Sequence, residues 1–182
     1  MPLHYPYKNK DLKKKKDNSG IIISAVNYYN IPGRIDSFPR DIYKTEQYNE
    51  NIEKIINGLH KDINKISVKY FDFNRSPNLK DIISSKYKNI YFITSKKKNV
   101  RKLSSSYRLT VETTLSTGFV ESMYYNIPVV LLIDKNWFRA EVSDIIYELK
   151  KNKIIFFSAD KLVDHVKNNY NNITNWWENK NL

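Results

Sequence analysis

Residues 108–134, RLTVETTLSTGFVESMYYNIPVVLLID, carry a strand, a polar turn, a helix, a tight break and a second strand in one short run. RLTVET has the β-branched content of a strand, and PVVLLID is an uninterrupted apolar run of the kind a parallel sheet buries on both faces. The spacing predicts a helix over 117–125, stopped at Asn126-Ile127-Pro128 because proline cannot continue it. Two buried strands joined through a helix are the building block of a parallel sheet.

The same alternation runs outward in both directions. Short buried strands are expected at 21–26, 66–73, 89–94, 109–112, 129–133 and 154–157. Helices are expected at 41–61, 78–87, 98–105, 117–125, 138–151 and 159–177. In the first of these, Ile42, Tyr48, Ile52, Ile55, Ile56 and Leu59 fall near helical spacing, and Asp41 suits its positive end. In the last, Leu162, Val163, Val166, Tyr170, Ile173 and the Trp176-Trp177 pair do the same. Such βα units predict an α/β fold, a three-layer Rossmann-like parallel sheet with helices on both faces. Residues 1–19 are expected to be a basic extension or linker, and 20–182 one Rossmann-like domain. No internal repeat and no second domain stands out.

Composition narrows the function classes. Apolar content of 41% and aromatic content of 14% favour a folded globule. No apolar run approaches the ~20 residues of a membrane span, and MPLHYPYKNKDLKKKK lacks the apolar centre of a secretory signal. With no cysteine and three histidines, disulfides and thiolate metal sites are excluded, and no metal is expected. The net charge is +12, which fits nucleic acid, anionic lipid or phosphorylated partners. A Lys/Asn/Ile/Tyr-rich composition is also what an AT-rich genome imposes. The runs Lys13 to Lys16 and Lys96 to Lys98 fit solvated tails or loops. The expected compartment is the cytoplasm, with contact to the inner membrane surface open to it.

Thr113, Thr114, Ser116, Thr117 and Gly118 set hydroxyls and compact backbone where the fourth strand hands over to its helix. Ligands of open α/β sheets sit at such carboxyl ends, and helix amino termini favour phosphate. The expected pocket is the mouth between the fourth and fifth strands. Ser and Thr are equally ordinary N-caps, and an early acidic residue such as Glu121 complements the helix dipole. Four glycines leave no Gly-rich phosphate loop. Tyr28 and Tyr29 fit packing or base stacking, Trp137, Trp176 and Trp177 fit hydrophobic anchors, and His60 and His165 fit the surface.

The run S-T-G-F-V-E-S-M-Y-Y-N-I-P-V-V-L-L, then W-F-R-A-E, I-I-F-F-S-A-D-K-L-V and N-W-W, resembles the C-terminal domain of a transferase family from bacterial surface-carbohydrate gene clusters. Those proteins look like glycosyltransferases of the two-domain GT-B architecture. The resemblance extends over residues 20–177. It departs at Glu112-Thr113-Thr114-Leu115, where relatives tend to have Asp-x-Asn before the hydroxyl pair, and at Phe119-Val120, where Phe-Leu is usual.

The resemblance implies that Thr114, Ser116, Thr117 and Gly118 receive a nucleotide-sugar diphosphate and that Glu121 accepts hydrogen bonds from its ribose or sugar. It puts the loop after the first strand, with Arg34 and Arg40, at the cleft, where an arginine pairs with phosphate; Arg75 occupies a similar place after the second strand. The closing tryptophans would then meet a neighbouring domain. No cofactor is implied, since the nucleotide sugar is a substrate, and no catalytic residue is assigned. A separate N-terminal Rossmann-like domain or subunit would bring the acceptor, so donor binding with little transfer alone is the expected activity. The alternative is a basic α/β nucleic-acid or phosphate-binding module without catalysis.

Overall fold

The computed structural model describes residues 19–26, 42–71, 79–93, 103–137 and 140–179. Strands β1 (Ile21–Val26), β2 (Ile66–Phe71), β3 (Ile90–Ile93), β4 (Leu109–Glu112), β5 (Val129–Leu132) and β6 (Ile155–Phe156) form one sheet in the order β3-β2-β1-β4-β5-β6. Every neighbouring pair is parallel. Around it lie helices α1 (Ile42–Leu59), α2 (Leu79–Lys86), α3 (Thr117–Tyr124), α4 (Ser143–Lys151), α5 (Ala159–Asn169) and α6 (Ile173–Glu178). The expected three-layer Rossmann-like α/β arrangement is what forms.

Strand periodicity separates the two faces. On one, Ile21, Ile23, Val68, Leu109, Val111 and Val130 pack with Ile52, Ile55, Ile56 and Leu59 of α1 and Leu162, Val163 and Val166 of α5. Each such aliphatic side chain contributes about 1.5–3 kcal/mol by leaving water. On the other face, Val129, Leu131 and Ile155 meet Phe119 of α3, Ile146 and Leu149 of α4, and Trp177 of α6. Ile22 there meets Leu103 and Tyr107.

The strand order corrects one expectation. From β1 the chain steps outward to β2 and β3, then returns to lay β4 against the other side of β1. The crevice where crossovers diverge therefore opens between the first and fourth strands, not the fourth and fifth.

Helices α3 and α4 end in the same way. Asn126 adopts φ 55° after α3 and Lys153 φ 59° after α4. The Ile127 amide donates to the Ser122 carbonyl and that of Asn126 to Met123, while Ile154 donates to Leu149 and Lys153 to Lys150. These are paired Schellman closures, each delivering the chain to the next strand. The expected helix over 138–151 begins only at Ser143, after a 3-10 turn at Ala140–Val142.

The expected single closing helix is broken. A 3-10 turn, Tyr170–Asn172, separates α5 from α6. The cause is the asparagine run: the Asn169 side-chain amide donates to the His165 carbonyl at 2.8 Å, competing with the backbone for it. The break turns Tyr170 toward the start of β1, where its hydroxyl accepts the Gly20 amide at 2.8 Å. No helix among the described residues is long and apolar enough to cross a membrane.

Candidate functional site

Register sets three polar side chains in a row beneath the crevice. Ser24 of β1 is aligned with Lys69 of β2 on one side and Glu112 of β4 on the other. In a parallel sheet aligned residues share a face, here the face that carries α3. Lys69 is 6% exposed and Glu112 2%. Two ionisable side chains of opposite sign are thus buried near the carboxyl ends of the central strands, on a face that also buries Ser67 and Thr110.

Burial pushes the Glu112 carboxyl up to about 7, against the pull of hydrogen bonds from Ser116 and Ser24 and the charge of Lys69. Burial also lowers the Lys69 ammonium, opposed by the negative charges of Glu112 and Glu121. Desolvation is the larger influence on both, so the pair is held together at a cost in stability. A carboxyl poised near neutrality can take up or release a proton under physiological conditions, the property a general acid or base requires.

Ser116 connects this floor to the helix above it. At φ −108° and ψ 167° it is the N-cap of α3. Its hydroxyl accepts from the Gly118 amide at 3.1 Å and the Phe119 amide at 3.4 Å, and donates to Glu112 Oε2 at 3.1 Å. The proton of the cap is therefore aimed at the buried carboxylate. An anion arriving at Gly118 and Phe119 would have to displace the cap.

Thr113 ties the mouth together. Its hydroxyl donates to the Ser24 carbonyl at 2.7 Å. That uses its only proton, so the Tyr48 hydroxyl, 2.6 Å away, is the donor in their contact. One threonine thus joins β1, the end of β4 and α1.

Of the residues expected at the site, Thr114, Ser116 and Gly118 come together at the end of β4, with Thr114 and Gly118 buried and Ser116 half-buried. Thr117 and Glu121 are exposed on α3, Glu121 near enough to act on Lys69. Arg34, Arg40, Arg75, Tyr28, Tyr29 and both lysine runs lie outside the described residues. Lys69 was visible in the sequence only as a polar step in an alternating strand, and Glu112 only as a departure from the family pattern. Strand register was the missing information.

Of the aromatic anchors, Trp176 and Trp177 pack within the domain, and the Trp137 side chain lies outside the described residues. Trp177 is buried and donates from Nε1 to Asn126 Oδ1 at 2.8 Å; the Trp176 ring lies 4.8 Å from that of His165. His165 is not a surface residue, because its ring packs between Phe156 and Trp176. His60 is half-buried, set edge-on against Tyr87 at 5.1 Å. Among the described residues no cluster of three or more His, Asp or Glu could hold a metal.

No curated protein matches the chain significantly. A family model described as LIC12162 family transferase matches residues 1–182, the full length of the sequence. A doubly wound parallel sheet with a buried Lys–Ser–Glu row at its switch point is accordingly the framework of a chain that belongs to the LIC12162 family of transferases.

Proposed function

We propose that this chain is the donor-binding half of a GT-B-like glycosyltransferase acting in surface-polysaccharide synthesis, and that the crevice between β1 and β4 receives the diphosphate of a nucleotide sugar. The observation that carries this reading is the Lys69–Ser24–Glu112 row under the amino terminus of α3. Lysine and the helix dipole offer positive potential to phosphate. Glu112, neutral for part of the time near pH 7, limits the repulsion that a fixed carboxylate would exert there. In this reading Glu121, exposed one turn into α3, accepts hydrogen bonds from ribose or sugar hydroxyls, and Thr114, Ser116, Thr117 and Gly118 receive the phosphates. On the same reading Arg34 and Arg40, which follow β1 in the sequence, add guanidinium groups to the phosphate. The acceptor and any general base for it come from a second Rossmann-like domain or subunit, at a cytoplasmic membrane surface.

The test is calorimetry with nucleoside diphosphates and nucleotide sugars, beside a short oligonucleotide, at two salt concentrations. Selective nucleotide-diphosphate binding, weakened about tenfold or more (about 1.4 kcal/mol) by Lys69→Met and by Glu121→Ala, is expected. A flat response to every nucleotide would reject the donor site. Oligonucleotide binding that falls steeply with salt would instead favour the nucleic-acid module that the +12 charge permits.

A further inference from the structure

A second concavity lies at the opposite end of the sheet, under the amino ends of β1, β2 and β4. It has a volume of about 790 Å³ and is open to solvent, with Gly20, Lys65 and Arg108 each just before one of these strands, and Asp62, Lys167 and Tyr170 around them. That volume is within the range of small-molecule sites. It has no part in the crevice described above, which opens at the carboxyl ends.

Its charge is one-sided. Asp62 is paired with Lys167 at 2.9 Å, which leaves Arg108 and Lys65 without a carboxylate among the described residues. Both are held by aromatic rings instead. The Arg108 guanidinium lies 5.0 Å over the Tyr170 ring and donates from one nitrogen to the Tyr170 carbonyl at 3.2 Å. The Lys65 ammonium lies 5.0 Å over the Tyr107 ring. Stacking fixes a cation without neutralising it. An arginine has five N–H donors, and a single hydrogen bond leaves most of the fork for a ligand.

The backbone beneath them is preset. Gly20 adopts φ +87° with no room for a side chain against Lys65. Its amide donates to the Tyr170 hydroxyl and its carbonyl accepts from the Arg108 amide. The break in the closing helix therefore serves to hold Tyr170, and with it the arginine, over the start of β1.

We infer that this cavity is a binding site for a small phosphate-bearing ligand, gripped by Arg108 and Lys65 at the amino-terminal end of the sheet. A planar guanidinium beside an ammonium is the combination that suits a phosphate dianion. A single concavity of this volume suits a small molecule, where a polymer backbone needs an extended groove.

The experiment is titration of the full chain with inorganic phosphate at constant ionic strength, followed by calorimetry and by amide NMR shifts. Saturable binding is expected, with shifts at Asn64, Lys65 and Asn171. Arg108→Gln and Lys65→Met should each weaken it tenfold or more, while Lys86→Met, which removes a distant surface charge, leaves it unchanged. Should Arg108→Gln loosen Tyr170 and unfold the chain, Lys65→Met still decides, since the contact its ammonium gives up is that with the Tyr107 ring. Absence of saturable binding, or full affinity in Lys65→Met, overturns the inference. So do shifts confined to Gly118 and Phe119, which would assign the phosphate to the crevice, and so does an oligonucleotide that moves the Asn64 and Asn171 amides. Failure here leaves the donor-site reading standing, because the two sites share no residue.

Discussion

Glu112 is buried in a position that penalises its charged form, and this makes stability depend on pH. Its folded pKa, about 7, lies above the ordinary carboxylate value of 4.5. The folded state thus holds the proton longer than the unfolded state does. The contribution is complete below about pH 4.5 and is lost as pH rises through about 7, a difference of up to roughly 3 kcal/mol. Glu112→Gln keeps the shape without the charge. Denaturant titrations should therefore find it similar to the parent at pH 5 and more stable at pH 8; a variant less stable at pH 8 would show that the Lys69–Glu112 attraction outweighs burial. Ser116 belongs to the same unit, since its hydroxyl serves the carboxylate and the α3 amides together.

At the level of elements, close helix contact and left-handed closures set the testable limits. A Cβ on Gly58 of α1 would lie 2.5 Å from Val163 Cγ1 of α5. Helix propensity alone would favour Gly58→Ala by about 1 kcal/mol, but overpacking typically costs about 1–3 kcal/mol. Net destabilisation is expected in urea unfolding, and a gain would mean that α5 yields freely. Lys153 holds φ 59° at the closure of α4, so Lys153→Gly should stabilise by about 0.5–1 kcal/mol, seen as a higher denaturation midpoint. Much of this level was legible in the residues. IIISAV and LTVE announced β1 and β4 with their observed bounds, because β-branched runs leave few alternatives, and Asn126-Ile127-Pro128 announced the end of α3. The break at Tyr170 was not legible, since its apolar positions continue a helical stripe across the asparagines. Strand order was hidden too, and with it the meeting of Lys69, Ser24 and Glu112, which lie far apart in the chain and become neighbours only by register.

Across the whole molecule, positive charge outruns its compensation. The chain carries +12, and the described ion pairs, Lys86–Glu53, Lys151–Glu148 and Lys167–Asp62, are exposed, where each is worth little. Raising sodium chloride from about 0.01 M to about 0.1 M shortens the Debye length from ~30 to ~10 Å, so Tm should climb by a few degrees as self-repulsion is screened; a fall would mean that attractive pairs dominate. The crevice is subject to a different restraint. Thr113 clasps the β1 backbone while Tyr48 of α1 grips the same hydroxyl, so the throat cannot widen by parting β1 and β4 without rupturing the Thr113–Ser24 bond. On the donor-site reading, a ligand would enter at the other lip, with residues 115–117 swinging and the Ser116 cap letting go. Deuterium uptake at Gly118 and Phe119 would then quicken during loading while Ile23 and Val111 stay silent.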